Sequence, residues 1–113
     1  MAEHNLSGSK AEDAAADYLK KNGYKILDQN WQTKWCEIDI VAKKHGRVYF
    51  VEVKYRASPT YGGGYDYITP KKQKQMDLAG RSWSEINGWD GEQVLSAVEV
   101  TGEDYAVSFL EEI

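Results

Sequence analysis

The sequence predicts one mixed α/β domain in which two helices pack on a β-sheet, and two observations support this fold class. Two segments repeat apolar residues at helical spacing and each ends at an Asn-Gly pair, near residues 9–22 and 69–87. Much of the remaining chain is rich in β-branched and aromatic residues, which is typical of strands. The element order is helix, three strands, helix and two strands, and 113 residues suit a single domain over 1–113.

The first helix is expected to begin near Ser9 and to end at Asn22-Gly23, because glycine ends helices without steric cost. Its buried face is predicted from apolar residues at helical spacing, namely Ala11, Ala14, Ala15, Tyr18 and Leu19. Glu12 follows Ser9 by three residues, which fits a capping box. The local pattern therefore leaves both a capping role and a catalytic role open for Glu12.

Three strands are predicted at residues 24–32, 37–44 and 47–55. Lys44-His45-Gly46 forms a tight turn, so the second and third strands are expected to pair as an antiparallel hairpin. One face of the second strand is expected to carry Ile38, Ile40 and Ala42. On the third strand, one face is expected to carry Tyr49, Val51 and Val53, and the other Phe50, Glu52 and Lys54.

The second half of the chain is predicted to contain a loop, a helix and two strands. Residues 57–67 are expected to form a mobile loop, whose tyrosines either anchor it or stack on unpaired bases. Thr69-Pro70 is typical of a helix start, with threonine as N-cap. The apolar stripe of this helix is predicted from Met76, Ala79, Trp83 and Ile86. Residues 94–100 and 105–110 are predicted to be strands joined by a turn at 101–104.

Composition limits the compartment and the chemistry of the protein. No apolar run approaches the roughly 20 residues that span a bilayer, so we expect no membrane partner. Residues 1–13 lack the layout of a signal peptide, and we expect a cytoplasmic protein. Cys36 is the sole cysteine, which excludes an internal disulfide and a thiolate metal cage.

The charges are unevenly distributed along the chain. All 14 Lys and Arg lie within residues 1–81, together with 10 Asp and Glu. Residues 82–113 contain eight acids and no Lys or Arg. The first part is therefore mildly basic, which suits an anionic ligand, whereas the second is either a solvated acidic face or a surface for a basic partner.

Glu37-Ile38-Asp39 and Glu52-Val53-Lys54 place three carboxylates and an ammonium group on two neighbouring predicted strands. Strand residues two apart share a face, so Glu37 lies with Asp39, and Glu52 with Lys54. Burying several charges costs several kcal/mol per ion unless the charges are paired or bind a metal. The pattern therefore favours a functional site, and an exposed ion pair contributing about 0–1 kcal/mol is the alternative.

The same cluster has the chemistry of a metal-dependent phosphodiesterase. Hard divalent cations such as Mg²⁺ bind carboxylate oxygens together with water and phosphate. Asp39 and Glu52 can supply the carboxylates, and the backbone carbonyl of Val53 can supply a third oxygen. Lys54 can orient or deprotonate an attacking water, or neutralise charge on the phosphate.

Three lysines, Lys71, Lys72 and Lys74, crowd the start of the second predicted helix. The helix dipole disfavours cations at this end by about 0.3–1 kcal/mol each. A bound phosphate would relieve that repulsion, and three solvated lysines are the alternative. Trp31 and Trp35, in contrast, are expected to pack rather than to bind a ligand.

Several blocks of the sequence carry a resemblance to a known family. They run from about residue 8 to residue 76 and are Gly8, Ala11-Glu12, Ala15, Tyr18-Leu19, Asn30, Glu37-Ile38-Asp39-Ile40-Val41-Ala42, Phe50-Val51-Glu52-Val53-Lys54, Arg56, Thr69, Lys72 and Gln73. These blocks resemble the YraN-like family of small bacterial proteins. That family is similar to archaeal Holliday-junction resolvases, within the PD-(D/E)xK nuclease superfamily.

The resemblance implies a restriction-endonuclease-like αβββαβ core, with a central mixed sheet flanked by two helices. It implies Mg²⁺ or Mn²⁺ as cofactor, with metal ligands at Asp39 and Glu52. It further implies a catalytic lysine at Lys54 and a helical acid at Glu12, which acts on the metal directly or through water.

The remaining candidate residues surround this implied centre. Glu37, Lys72 and Gln73 are expected to support the site. Further candidates for contacts with nucleic acid are Arg56, Lys71 and Lys74.

The predicted function is a metal-dependent endonuclease that hydrolyses DNA, with branched or junction DNA as the expected substrate structure. Resolvase-like proteins act as dimers because a junction is two-fold symmetric, so the resemblance implies a homodimer, although no residues of this sequence identify a dimer face. Two alternatives remain open at this point. One is a non-catalytic nucleic-acid-binding module on a nuclease scaffold, and the other is a protein-interaction domain that uses the acidic residues 82–113.

Overall fold

A computed structural model describes residues 6–58 and 64–113 of the chain. The elements within these ranges are α1 (Leu6–Lys21), β1 (Lys25–Gln32), β2 (Glu37–Lys44), β3 (Arg47–Arg56), α2 (Pro70–Asn87), β4 (Glu92–Thr101) and β5 (Ala106–Leu110). This order confirms the predicted mixed α/β class and the αβββαβ core. Residues 59–63 of the predicted loop lie outside the described residues.

The five strands form one mixed sheet in the order β1-β2-β3-β4-β5. The pairs β1–β2, β2–β3 and β4–β5 are antiparallel, and the pair β3–β4 is parallel. A parallel pair requires a crossover connection, and α2 provides it between β3 and β4. The N-terminal end of α2 therefore follows directly from the segment after β3.

The predicted β2–β3 hairpin is confirmed, and its turn explains why it forms. Lys44 pairs with Arg47, which leaves a two-residue loop of His45 and Gly46. Their φ angles are 51° and 76°. Two-residue hairpin turns of type I′ need positive φ at both central positions, and this twist matches that of the flanking strands.

One helix covers each face of the sheet. The alanine-rich face of α1 packs on one side, in a core of Ala11, Ala15, Ala16, Leu19, Tyr24, Ile40, Ala42, Tyr49, Val51, Val94, Val98 and Val100. The apolar face of α2 packs on the other side, in a core of Ile38, Val41, Val48, Phe50, Ala79 and Trp83. Neither helix within the described ranges is long and apolar enough to cross a membrane.

The ends of α2 are formed as predicted. Thr69 is the N-cap, and its hydroxyl accepts a hydrogen bond from the backbone N–H of Lys72 at 3.1 Å. Pro70 occupies the first turn, where a missing N–H has no cost. Gly88 ends the helix with a φ of 68°, in the left-handed region.

The start of α1 differs from the prediction. The helix begins at Leu6, so Ser9 lies inside it and is not the N-cap. The capping-box interpretation of Glu12 is therefore wrong.

Two predicted face assignments are also wrong. Ile38 packs in the α2 core with Val41 and does not share a face with Ile40, because regular pairing of β2 with β3 stops at Ile40. Ile86 is 64% exposed. Each helical residue advances by about 100°, which places Ile86 roughly a quarter-turn away from the middle of the buried stripe.

Gly80 allows α2 to approach the sheet closely. A Cβ atom at this position would lie 2.6 Å from Cδ2 and 2.8 Å from Cε2 of the Phe50 ring. Glycine in a helix interior costs about 0.5–1 kcal/mol relative to alanine. The ring of Phe50, packed edge-on to Trp83 at 5.8 Å, occupies the space that an alanine methyl would need.

We expect Gly80→Ala to lower the free energy of unfolding by about 1–3 kcal/mol, because overpacking of Phe50 outweighs the gain in helix propensity. Urea unfolding followed by circular dichroism measures this change. The matched control is Glu85→Ala on the exposed side of the same helix, which should change stability by less than about 0.5 kcal/mol. A Gly80→Ala protein more stable than the wild type would contradict the proposed close contact.

Candidate active site

Regular pairing between β2 and β3 ends at Ile40 and Val51, although both strands continue beyond this point. On its other edge β2 stays paired with β1 as far as Glu37, and β3 stays paired with β4 as far as Arg56. The sheet therefore has a split, which we define as the gap between residues 37–39 of β2 and residues 52–54 of β3. The two central sequence motifs, predicted to form a site, meet across this split.

Asp39 fills the split with its side chain. Its Oδ2 accepts a hydrogen bond from the backbone N–H of Val53 at 2.8 Å, in place of a bond to the β2 backbone. The N–H and C=O of one strand residue project to the same edge. The carbonyl of Val53 therefore points into the split as well, on the same side as the Asp39 carboxylate.

Four carboxylates interact at this position. Burial, as the largest cause, and the charge of Glu52 together raise the pKa of Asp39 from its ordinary 3.8 to about 7, while the hydrogen bond from Val53 opposes the shift. The charges of Glu12 and Glu37 also raise the pKa of Asp39, by smaller amounts. The structure thus brings together Glu12 from α1, Glu37 and Asp39 from β2, and Glu52 from β3.

The first turn of α2 also reaches the site. Lys72 Nζ lies 3.1 Å from Glu52 Oε2, and both side chains are partly buried. The cap formed by Thr69 fixes the backbone of Lys72. Lys72 thus lies beside the acids, as predicted, and Gln73 is half-buried in the same turn.

Lys54 and Arg56 of β3 both lie near the ring of Tyr67, which belongs to the segment between β3 and α2. Lys54 Nζ is 5.8 Å and the Arg56 guanidinium carbon 5.7 Å from the centroid of the Tyr67 ring. Lys54 is exposed, whereas Arg56 pairs with Glu99 of β4. Lys54 therefore retains the freedom to meet a ligand, and the charge of Arg56 is partly neutralised within the fold.

Tyr67 is a residue of the site that sequence analysis assigned only to a loop. Its hydroxyl is buried and makes no hydrogen bond with any described residue. Burial raises the pKa of Tyr67, and the nearby charge of Glu52 raises it further. The signal in the sequence was its place two residues before the N-cap Thr69, which ties it to the start of α2.

The outer lysines of α2 are placed differently from Lys72. Lys71 and Lys74 are both exposed to solvent and belong to the first turns of the helix. Glu37 is likewise exposed, at the first position of β2. These three residues border the site rather than filling it.

The protein groups at the split supply a partial donor set for a metal. Within residues 6–58 and 64–113, no three Asp, Glu, His or Cys side chains form a ready-made metal site. The carboxylates of Asp39 and Glu52 and the carbonyl of Val53 are a smaller set of oxygen donors, of the kind that Mg²⁺ uses together with water and phosphate. The neighbouring charges of Glu52, Glu12 and Glu37 each oppose ionisation of Asp39, in addition to burial, so the donor chemistry fits a divalent cation.

A cleft of about 440 Å³ opens beside these acids. Residues 33–36, between β1 and β2, and residues of α2 line the cleft, together with Glu37 and Glu52. Trp35 lines the cleft and is 84% exposed, so the prediction that it packs is wrong. Trp31 does pack against the α2 core, as predicted.

Comparison with known sequences identifies the family. A profile described as "Uncharacterised protein family UPF0102" matches residues 11–100. The chain belongs to this family. The predicted YraN-like family is thereby confirmed.

Members of this family with similar sequences come from several bacteria. A UPF0102 protein of Flavobacterium johnsoniae is 37% identical over 116 residues, which covers 97% of this chain and 94% of the relative. One from Bacteroides fragilis is 41% identical over 86 residues, covering 76% and 71%. One from Geobacter metallireducens is 44% identical over 84 residues, covering 74% and 69%. Their names state the family and no activity.

The raised pKa of Asp39 predicts a specific dependence of stability on pH. The unfolded chain loses the Asp39 proton near pH 4, whereas the folded chain keeps it until about pH 7. The stability of the folded state therefore falls as pH rises between these values, and the loss is fully present above about pH 7. An asparagine side chain at this position has no proton to lose and can still accept the bond from Val53. We expect Asp39→Asn to raise the free energy of unfolding by about 1–3 kcal/mol at about pH 8.

Urea unfolding at about pH 8 and about pH 5 tests this expectation, because the gain should shrink at the lower pH. Asp13→Asn, at an exposed position one residue after Glu12, is the matched control and should show little change at either pH. An equal gain for Asp39→Asn at both pH values would show that burial of the charge is not its cause.

Proposed function

We propose that this protein is a metal-dependent endonuclease that hydrolyses phosphodiester bonds of DNA, with branched DNA as its preferred substrate. The observation that carries the proposal is the Asp39 carboxylate, held by the Val53 N–H at 2.8 Å in the split beside Glu52. Hydrogen bonding fixes one oxygen of Asp39. Its second oxygen, Glu52 and the Val53 carbonyl remain as candidate ligands.

The candidate ligands are complemented by groups from both helices. Asp39, Glu52 and the Val53 carbonyl would hold Mg²⁺ or Mn²⁺, with Glu12 of α1 contributing directly or through water. A bound divalent cation lowers the pKa of its water and stabilises negative charge on the phosphate. Lys72 pairs with Glu52, which restricts the rotamers of that carboxylate.

The exposed ammonium group of Lys54 is the candidate for direct action on the substrate. It lies on the same strand face as Glu52, two residues further along β3. In this position it can donate a hydrogen bond to the attacking water or to a phosphate oxygen, where charge develops in the transition state. The ring of Tyr67 lies beside the ammonium group of Lys54, within the range of a cation–π contact.

The contacts of the acidic C-terminal segment weaken the competing interpretation as a protein-interaction surface. Glu92 and Glu112 both contact Arg47, at 2.9 and 3.8 Å. Glu99 pairs with Arg56, and Glu111 accepts hydrogen bonds from Tyr24 and Tyr49, at 3.5 and 3.3 Å. Half of the eight acids of this segment therefore have partners inside the fold.

Two of those acids, Glu92 and Glu112, lie at Arg47, away from the site, and leave it accessible to an anionic substrate. Glu99 lies opposite Lys54 on β4, but its charge is paired with Arg56. Arg47 and Glu92 lie at the beginning of β3 and β4, whereas Lys54 lies near the opposite end of β3. The seven residues from Arg47 to Lys54 span roughly 23 Å at the rise of a strand. At that distance exposed charges are largely screened at physiological salt.

Incubation with branched, flapped, single-stranded and blunt duplex DNA in Mg²⁺ or Mn²⁺ tests the proposal. We expect cleavage that EDTA abolishes and that Asp39→Asn, Glu52→Gln and Lys54→Ala each reduce by roughly 100-fold or more. Lys20→Ala removes an exposed lysine with no assigned role, in the last turn of α1, and is the matched control. Mn²⁺ titration calorimetry of the same variants gives a readout that does not depend on activity.

Cleavage that survives both Asp39→Asn and Lys54→Ala would refute the assignment of these residues. Salt-sensitive DNA binding without cleavage under either metal would instead identify a non-catalytic binding module. Circular dichroism of each variant distinguishes lost chemistry from lost folding.

A further inference from the structure

The cleft beside the acids has the size and position of a second part of a substrate site. Its volume of about 440 Å³ falls within the range of roughly 300–1,000 Å³ that is usual for small-ligand pockets. Glu37 and Glu52 line the cleft and also border the split that holds Asp39, so the two are adjacent. A group bound in the cleft would therefore lie next to the proposed metal ligands.

Two large apolar side chains that line the cleft are exposed to solvent. Trp35 is 84% and Leu78 58% exposed, and both line the cleft. Among the described residues, the other exposed large apolar side chain is Ile86, which does not line it. Single exposed apolar residues are ordinary, but two in one concave site beside charged groups mark a binding surface.

Hydrogen bonds order the backbone that carries Trp35. The hydroxyl of Thr33 accepts hydrogen bonds from the N–H of Trp35 at 3.0 Å and of Cys36 at 3.2 Å. The N–H of Thr33 donates to the carbonyl of Cys36 at 2.8 Å. These bonds close residues 33–36 into a tight turn, so ordering this backbone adds little to the entropic cost of binding.

The cleft is lined by two lysines, Lys34 and Lys72, and two acids, Glu37 and Glu52, and this balanced lining suits a neutral ring whose attached phosphate lies beside a lysine. Lys34 Nζ lies 5.3 Å from the centroid of the Trp35 ring. Lys72 lines the cleft and pairs with Glu52 at 3.1 Å. A nucleobase is uncharged and has a flat aromatic face, and the adjoining phosphates carry the negative charge that two lysines attract.

We infer that the cleft binds an unpaired base of a DNA strand, stacked on Trp35, next to the phosphate at the acidic site. This inference rests on the proposed nuclease function and narrows its substrate to DNA with an unpaired strand at the point of cleavage. A base inside a duplex is stacked between its neighbours and cannot enter a cleft, whereas an unpaired base stacks readily on an aromatic side chain. The fully paired duplex is therefore excluded from this cleft.

Fluorescence anisotropy tests the inference without requiring cleavage. The probes are a duplex with a single-stranded oligo-dT flap and a blunt duplex of the same paired sequence, both in Ca²⁺. We expect Trp35→Ala to weaken flap binding by about 5- to 100-fold and to leave blunt-duplex binding within about 2-fold. We expect Trp35→Phe to retain most of the affinity, and the matched control Ile86→Ala to change nothing.

A second measurement reports the stacking itself. A 2-aminopurine base placed in the flap should be quenched by the wild-type protein and by Trp35→Phe, and less by Trp35→Ala. Equal weakening of flap and blunt duplex, an unchanged affinity in Trp35→Ala, or no measurable flap binding by the wild type would each overturn the inference. Flap binding that depends on Trp35 in a protein that cuts no DNA would sustain the inference and refute the proposed catalysis.

Discussion

The hydrogen bond from the Val53 N–H to the Asp39 carboxylate is the interaction on which the site depends. A backbone N–H inside a sheet needs a partner, and where β2 stops pairing with β3 a side chain provides it. The bond therefore satisfies the backbone and fixes the carboxylate at once. Without it, either the strands would pair further and close the split, or β3 would carry an unsatisfied buried donor, at a cost of about 1–3 kcal/mol.

The split also explains why groups from both helices converge on one place. α1 and α2 pack on opposite faces of the sheet, and an intact sheet would keep their side chains apart. Where the strands part, Glu12 of α1 lies close enough to Asp39 to affect its pKa, and Lys72 of α2 contacts Glu52. The core is thus assembled from two separate hydrophobic clusters, and the charged groups occupy the region where the strands between them separate.

How far the sequence predicts this structure depends on how local each signal is. The β2–β3 hairpin and the cap of α2 were predicted correctly because His45-Gly46 and Thr69-Pro70 determine them within a few residues. The side of the sheet on which Ile38 packs was not predicted correctly, because it depends on where pairing between β2 and β3 stops. The family resemblance correctly brought Glu12 to the acids, although its local pattern also fitted a cap. The exposure of Trp35 follows from a turn closed by Thr33, a contact that residue spacing does not reveal.

The proton that Asp39 retains near neutral pH makes any cation that binds there a competitor of that proton. With a pKa of about 7, roughly half of the molecules carry the proton at pH 7, and a divalent ion must displace it from those. A cation that binds at this carboxylate therefore replaces a proton in those molecules. The heat of cation binding would then include the ionisation enthalpy of the buffer that takes up the proton. The apparent affinity for the cation would weaken as the pH falls.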